Sequence, residues 1–176
     1  VVDGVGLQGG NALAGHFWEG VLAGLGRALD VVLLDRGNAP GMAGIERLPF
    51  PNWSGRETAA DSLLLDQVCE AVGARVFLST ASTTPVRTPS VAVIHGLQPS
   101  TSGHEPGAPG RQRLEAEAAI LHARRRICVS ADERAMLARA APDLREDRVS
   151  LVAHGADPLL FRRRDPGEFP PLAQRL

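Results

Sequence analysis

The sequence predicts an α/β domain built on a doubly wound, mostly parallel sheet with helices on both faces. Three observations carry that expectation. Short β-branched runs alternate with longer amphipathic stretches along the chain, as successive βαβ units require. Runs such as Val31-Val32-Leu33-Leu34 are apolar throughout rather than alternating, which suits strands covered on both sides. A chain of 176 residues, 44% of them hydrophobic, can bury one substantial core but would be stretched over two.

The elements follow in order. Val1 to Leu7 is a strand candidate, followed by a helix over Ala12 to Leu29 in which Leu13, Phe17, Val21 and Leu25 recur every fourth residue. Val31 to Leu34 reads as a buried strand and Ile45 to Phe50 as a short one closed by Pro49 and Pro51. Pro51 to Gly55 has the chemistry of a loop. The next helix opens at Thr58-Ala59-Ala60-Asp61, similar to a capping box, and carries Leu65, Val68, Cys69 and Val72 at i, i+3, i+4 and i+7 until Gly73 stops it. Arg75 to Ser79 and Ser90 to Ile94 are the following strands. Pro99 to Gly110 holds three Pro and three Gly, too many for a regular element, and is expected to be a long loop. Arg111 to Arg125 is helical by composition, and Ile127 to Val129 is a strand. Ser130-Ala131-Asp132-Glu133 is a Ser-x-x-Glu capping box whose helix ends before Pro142, and Val149 to Val152 is the last strand.

Composition removes several functions. Nineteen basic against twenty acidic residues leave no global field to draw the chain onto nucleic acid or an anionic membrane, and 4% aromatic content supplies few base-stacking platforms. No apolar run approaches the roughly 20 residues of a membrane span, and no leader pattern opens the chain. Cys69 and Cys128 each sit in an apolar run, far from any CxxC spacing, so they read as buried thiols of a reducing compartment; the expected location is cytoplasmic. The five histidines at 16, 95, 104, 122 and 154 share no ligand spacing, and no HExxH, Gly-x-Ser-x-Gly or Walker loop occurs, so no metal is expected. Every basic residue is arginine, and the first residue is Val, which reads as a segment of something longer.

Five features are candidates to carry chemistry. Gly4-Val5-Gly6-Leu7-Gln8-Gly9 matches GxGxxG, and Asp35 ends the next strand where a ribose-binding acid would sit, so a nicotinamide-binding Rossmann domain of an oxidoreductase is one alternative. The same loop has another use: Gly9 and Gly10 before a helix can receive the diphosphate of a nucleotide-sugar through N–H groups and the helix dipole. His95 follows an apolar strand and precedes Gly96, at the C-terminal lip of a parallel sheet, where such folds bind ligands; a loop histidine satisfied by a carbonyl is the plainer alternative. Ser79-Thr80 and Ser82-Thr83-Thr84 crowd the lip after the fourth strand with hydroxyls that suit a polyol, or that simply make a turn. His16, beside Phe17 and Trp18, reads on periodicity as a partly exposed helix residue. The runs Arg124 to Arg126 and Arg162 to Arg164 read as solvated faces or helix-end caps.

Taken together, three segments resemble the N-terminal half of family 4 of the retaining glycosyltransferases. They are Thr88-Pro89-Ser90-Val91-Ala92-Val93-Ile94-His95-Gly96-Leu97-Gln98-Pro99, Arg126-Ile127-Cys128-Val129-Ser130-Ala131-Asp132-Glu133, and Val152-Ala153-His154-Gly155-Ala156-Asp157-Pro158-Leu159-Leu160-Phe161. The family usually shows an apolar strand then His-Asp, an "AVSExxR" segment, and "NGVDxxxF" before the crossover to its second domain. Ala59 to Ala74 and the Ser79 to Pro85 turn look like a bacterial subgroup of it. This sequence has Gly96 for the usual acid, His154 for the usual Asn, and His16 where relatives commonly carry Arg.

The resemblance implies a GT-B enzyme with two Rossmann-like domains across a cleft, residues 1–161 forming the acceptor-side half and 162–176 a linker towards a missing donor-binding domain. It implies that Gly9 and Gly10 approach the donor diphosphate and that His95 hydrogen-bonds the transferred sugar as the catalytic residue. His16, Ser79, Thr80, Gly96, Ser130 and Arg134 would border the acceptor cleft. The implied substrates are a nucleotide-diphosphate-sugar and a hydroxyl acceptor on a glycan, lipid or other molecule, with no metal and no tightly bound cofactor. A piece lacking the second domain is expected not to turn over, and a degenerate or split, non-catalytic binding subunit is the remaining alternative.

Overall fold

The computed structural model describes residues 1–8, 12–37, 39–53, 58–95 and 110–155. Seven strands, β1 (Val2–Asp3), β2 (Val31–Asp35), β3 (Ile45–Pro49), β4 (Phe77–Ser79), β5 (Ser90–Ile94), β6 (Arg125–Cys128) and β7 (Val149–Leu151), form one sheet in the order β3-β2-β1-β4-β5-β6-β7. Every pairing is parallel. The fold is therefore a Rossmann-like doubly wound α/β domain, and the strand order reverses direction between β1 and β4. Four helices, α1 (Ala12–Leu25), α2 (Thr58–Ala71), α3 (Gly110–His122) and α4 (Ala131–Ala140), lie in four of the six connections between strands. None of the described helices is long and apolar enough to cross a membrane.

Adjacent residues of β2 face opposite layers, which explains why the strand reads as one apolar run. Leu33 packs with Val2, Val31 and Ile45 against Trp18 and Leu22 of α1. Leu34 packs with Phe77 against Leu65 and Cys69 of α2. A third cluster joins Ala92, Ile94 and Cys128 of the sheet to Ala119, Ile120 and Ala123 at the end of α3 and Leu137 of α4. Both cysteines are free and buried in these layers.

The structure corrects several boundaries. β1 stops at Asp3, because the Gly4 N–H closes the last sheet bond onto the Leu34 carbonyl and residues Val5–Leu7 turn into a single 3-10 coil. α1 ends at Leu25 rather than Leu29: the bare backbone of Gly26 lies against Ile45, where a Cβ would come within 3.0 Å of that side chain. β4 starts at Phe77 rather than Arg75, and β6 starts at Arg125, earlier than expected, and closes at Cys128. The expected loop over 99–110 and the expected linker over 162–176 fall outside the described residues, apart from Gly110, which opens α3.

Candidate functional site

The parallel order puts the ends of β1, β4, β5, β6 and β7 along one edge, so the glycine turn and His95 lie at the same side of the sheet. Ligands of open α/β folds bind at that edge, near the reversal of strand order. At the reversal itself the space is filled. A Cβ on Gly4 would lie 2.7 Å from the Leu34 carbonyl oxygen, and one on Gly6 would lie 2.7 Å from the Thr80 carbonyl oxygen. The Gly6 N–H donates to Thr80 Oγ1 at 2.7 Å, and that hydroxyl donates to the Asp3 carbonyl at 2.7 Å. These two glycines are thus required by the close approach of three backbone segments. The next residue of interest, Gln8, pairs its side-chain amide with the Trp53 backbone, donating to Trp53 O at 3.2 Å and accepting from Trp53 N–H at 2.9 Å. The Trp53 indole N–H in turn donates to both oxygens of the Glu115 carboxylate, at 3.0 and 3.3 Å, so Gln8 is moored just before the two glycines. Gly9 and Gly10 themselves lie outside the described residues.

Asp35 is occupied. Its Oδ1 accepts the N–H groups of Gly37 at 3.0 Å and Ala39 at 3.1 Å, and its Oδ2 pairs with Arg47. Partial burial pushes its carboxyl up, but Arg47 and the two backbone donors outweigh this and hold it below the usual Asp range. As a ribose-binding acid it would first have to leave the turn it builds.

His95 is the centre of an aromatic cluster. It leaves β5 at the edge with one face exposed, and Phe17 and Trp18 of α1 meet it edge-on at centroid distances of 5.3 and 6.1 Å. His154, beyond β7, stacks on it at 5.6 Å with 29° between the planes and meets Phe17 edge-on at 4.8 Å. Burial lowers the His95 pKa, with Glu133 opposing and His154 adding to the fall, and the balance lies below the usual histidine value. At neutral pH the ring is therefore uncharged and offers one N–H donor and one nitrogen acceptor. Such a group can hydrogen-bond a polyol in either sense.

The next strand end is organised as the sequence indicates. Ser130 caps α4, its hydroxyl accepting the Glu133 N–H at 3.1 Å, while Glu133 Oε2 accepts the Val129 N–H at 3.1 Å. The return bond reaches one residue further back than the usual capping box, which turns the Glu133 side chain in below the edge, where it is buried. Arg134 is exposed on the first turn of α4.

Other expected residues are placed differently. His16 points away from the cluster, its side chain 80% exposed and its Nδ1 3.5 Å from Glu19. Ser79 and Thr80 are buried, and their hydroxyls serve the protein: Ser79 Oγ bonds Thr83 Oγ1 at 2.7 Å and accepts the N–H groups of Ala81 and Thr83 at 3.1 Å. Gly96 lies outside the described residues.

Beneath the glycine turn lies a charge cluster that sequence reasoning missed. Arg36, fully buried, grips Asp3 through Nε at 2.5 Å and Nη2 at 2.9 Å, and Asp61 of α2 through both Nη groups at 2.9 Å. Its Nη1 also donates to the Pro51 carbonyl at 3.1 Å, and Phe50 lies 4.7 Å from the guanidinium carbon. Thr83 donates to Asp3 Oδ2 at 2.5 Å. Burial pushes the Asp3 carboxyl up despite Arg36 and Thr83, with Asp61 contributing to the rise. The signal available was an aspartate among valines in a buried strand, which demands a cationic partner.

The chain matches no protein-family model and no curated protein. Among the described residues no three His, Cys, Asp or Glu side chains converge as metal ligands would.

Proposed function

We propose that the chain is the acceptor-side half of a retaining glycosyltransferase of the GT-B architecture, moving a sugar from a nucleotide-diphosphate-sugar to a hydroxyl acceptor in the cytoplasm. The observation that carries this reading is the meeting of His95 and His154 at 5.6 Å on one sheet edge. The three segments that resemble the family end three neighbouring strands, β5, β6 and β7, so residues scattered over 60 positions come to one edge of the sheet. In this reading His95 hydrogen-bonds the transferred sugar, Gly9 and Gly10 receive the diphosphate, and Ser130 and Arg134 border the acceptor. The leaving diphosphate is neutralised by helix N-termini and by basic groups of a second domain, without a metal. Two facts weigh against the nicotinamide alternative: Gly4 and Gly6 are accounted for by backbone packing, and Asp35 is engaged in its own turn.

The test uses the protein translated from the whole reading frame that contains this chain. It is incubated with UDP- and GDP-hexoses and a panel of hydroxyl acceptors, and in parallel titrated with NAD. Sugar transfer with retained anomeric configuration is the expected result. Tight NAD binding with no transfer from either donor overturns the reading.

A further inference from the structure

The arginine run 124–126 has no part in the edge just described. It lies at the opposite edge, where the chain leaves α3 and enters β6. There the surface holds a depression of about 550 Å³ bordered by Leu121, His122, Arg124, Arg125, Asp147 and Arg148. That volume falls in the range of small-ligand sites.

Its charge is one-sided. Arg124 and Arg148 are exposed and, among the described residues, their guanidinium groups make no ion pair or hydrogen bond. Arg125 donates to the Asp147 backbone carbonyl at 2.9 Å rather than to a carboxylate. The Asp147 carboxylate, the only acid on the rim, is taken by Arg145 through two bonds of 3.0 and 2.9 Å. Behind the rim Arg126 is buried without a carboxylate partner, held by the carbonyls of Ile120 and Leu121 at the end of α3. Arg148 lies near enough to add to the lowering of its pKa that burial begins. Three arginines, Arg124, Arg125 and Arg148, therefore border a shared concavity whose single acid is already engaged, with Arg126 buried behind them. Guanidinium forks match phosphate oxygens in pairs, and an oxyanion here would relieve the mutual repulsion of the arginines.

We infer that this depression binds a phosphate-class anion, with Arg124 and Arg148 as the groups that grip it. The inference does not rest on the glycosyltransferase reading, since the two sites occupy opposite edges of the sheet. The ligand chemistry has two sources, a free phosphate compound or a phosphate borne on a lipid headgroup.

The experiment titrates the chain with inorganic pyrophosphate by calorimetry at low ionic strength. It is repeated on the double variant Arg124→Gln/Arg148→Gln and on a control, Arg139→Gln, at an exposed position of α4. Saturable binding is expected, weakened at least tenfold in the double variant, unchanged in the control and reduced by added salt. Both altered side chains are exposed, so circular dichroism should show the fold unchanged. Cosedimentation with phosphatidylglycerol vesicles, reversed by pyrophosphate and absent with phosphatidylcholine, would assign the lipid headgroup as the source; pyrophosphate binding without cosedimentation would assign a free phosphate. Absence of saturable pyrophosphate binding overturns the inference. So does a double variant that binds as tightly as the unaltered chain, because the anion would then sit elsewhere, for instance at the glycine turn.

Discussion

Arg36 joins parts of the chain that local sequence keeps apart: Asp3 at the end of β1, Pro51 in a loop and Asp61 in α2. Removing one member of a buried ion cluster strands the others in a medium that solvates them poorly, at a cost of about 3–5 kcal/mol. Arg36→Met should lower the unfolding free energy by that amount in urea, and a loss under about 1 kcal/mol would mean the carboxylates had found water or protons instead. Nothing periodic announces this cluster. The three residues lie 33 and 25 positions apart and meet only because β1 and β2 are neighbours and α2 crosses behind them. Asp66 gives the pH dependence. Burial raises its carboxyl, but the N–H groups of Arg87 and Thr88 and their side chains outweigh that and hold it below the ordinary value. A depressed acid contributes stability that is complete above its unfolded pKa, about 4, and is lost as pH falls through the folded value. Asp66→Asn should therefore weaken the protein at pH 7, with the difference from the unaltered chain narrowing in urea titrations repeated towards pH 3. A pH-independent difference would mean the hydrogen bonds hold without the charge.

At the scale of the element, the strands and helices were legible because their signals are local. β5 matches its expected limits, and Ser130 caps α4 as its Ser-x-x-Glu spacing indicates. The buried stripe of α1 is shifted: Trp18 and Leu22 are the fully buried pair, with Phe17, Val21 and Leu25 flanking them. An apolar face wider than 100° admits both rows, and only the sheet beneath decides which is central. The glycine turn was legible as a motif but not as to cause, since its residues are set by contacts with Leu34 and Thr80, remote in sequence. Gly6→Ala should cost about 1–3 kcal/mol by overpacking against a backbone oxygen that cannot move aside, whether or not any nucleotide is present. Gly20→Ala, at an exposed position of α1 where a Cβ meets nothing within 4 Å, should instead stabilise by about 0.4–1 kcal/mol. Thermal unfolding of the two variants reads both signs, and an unstrained Gly6→Ala would return the glycines to a ligand-binding role.

For the whole molecule, the decisive property is that every strand runs the same way. A parallel sheet delivers each strand's C-terminal residue to one edge, so His95 after β5 and His154 after β7 become neighbours although 59 positions separate them. α1 reaches the same edge from the glycine turn and sets Phe17 edge-on to both imidazoles. Under the proposed function this places an uncharged hydrogen-bonding ring at the mouth of a crevice. In the protein translated from the whole reading frame, His95→Ala should lower kcat by more than about tenfold with little change in KM, as loss of a bond made chiefly in the transition state would. His154→Ala tests the neighbour. It uncovers His95 and removes the neighbouring imidazole; burial and that neighbour both hold the His95 pKa down, so the His95 titration followed by NMR should move up towards the ordinary value. The acidic limb of the rate profile should then rise in pH with it, because a ring that protonates earlier loses its acceptor nitrogen earlier. Unchanged turnover in His95→Ala would remove this residue from the chemistry. A shifted titration with an unshifted rate profile would make the stacked pair a structural contact of the edge alone.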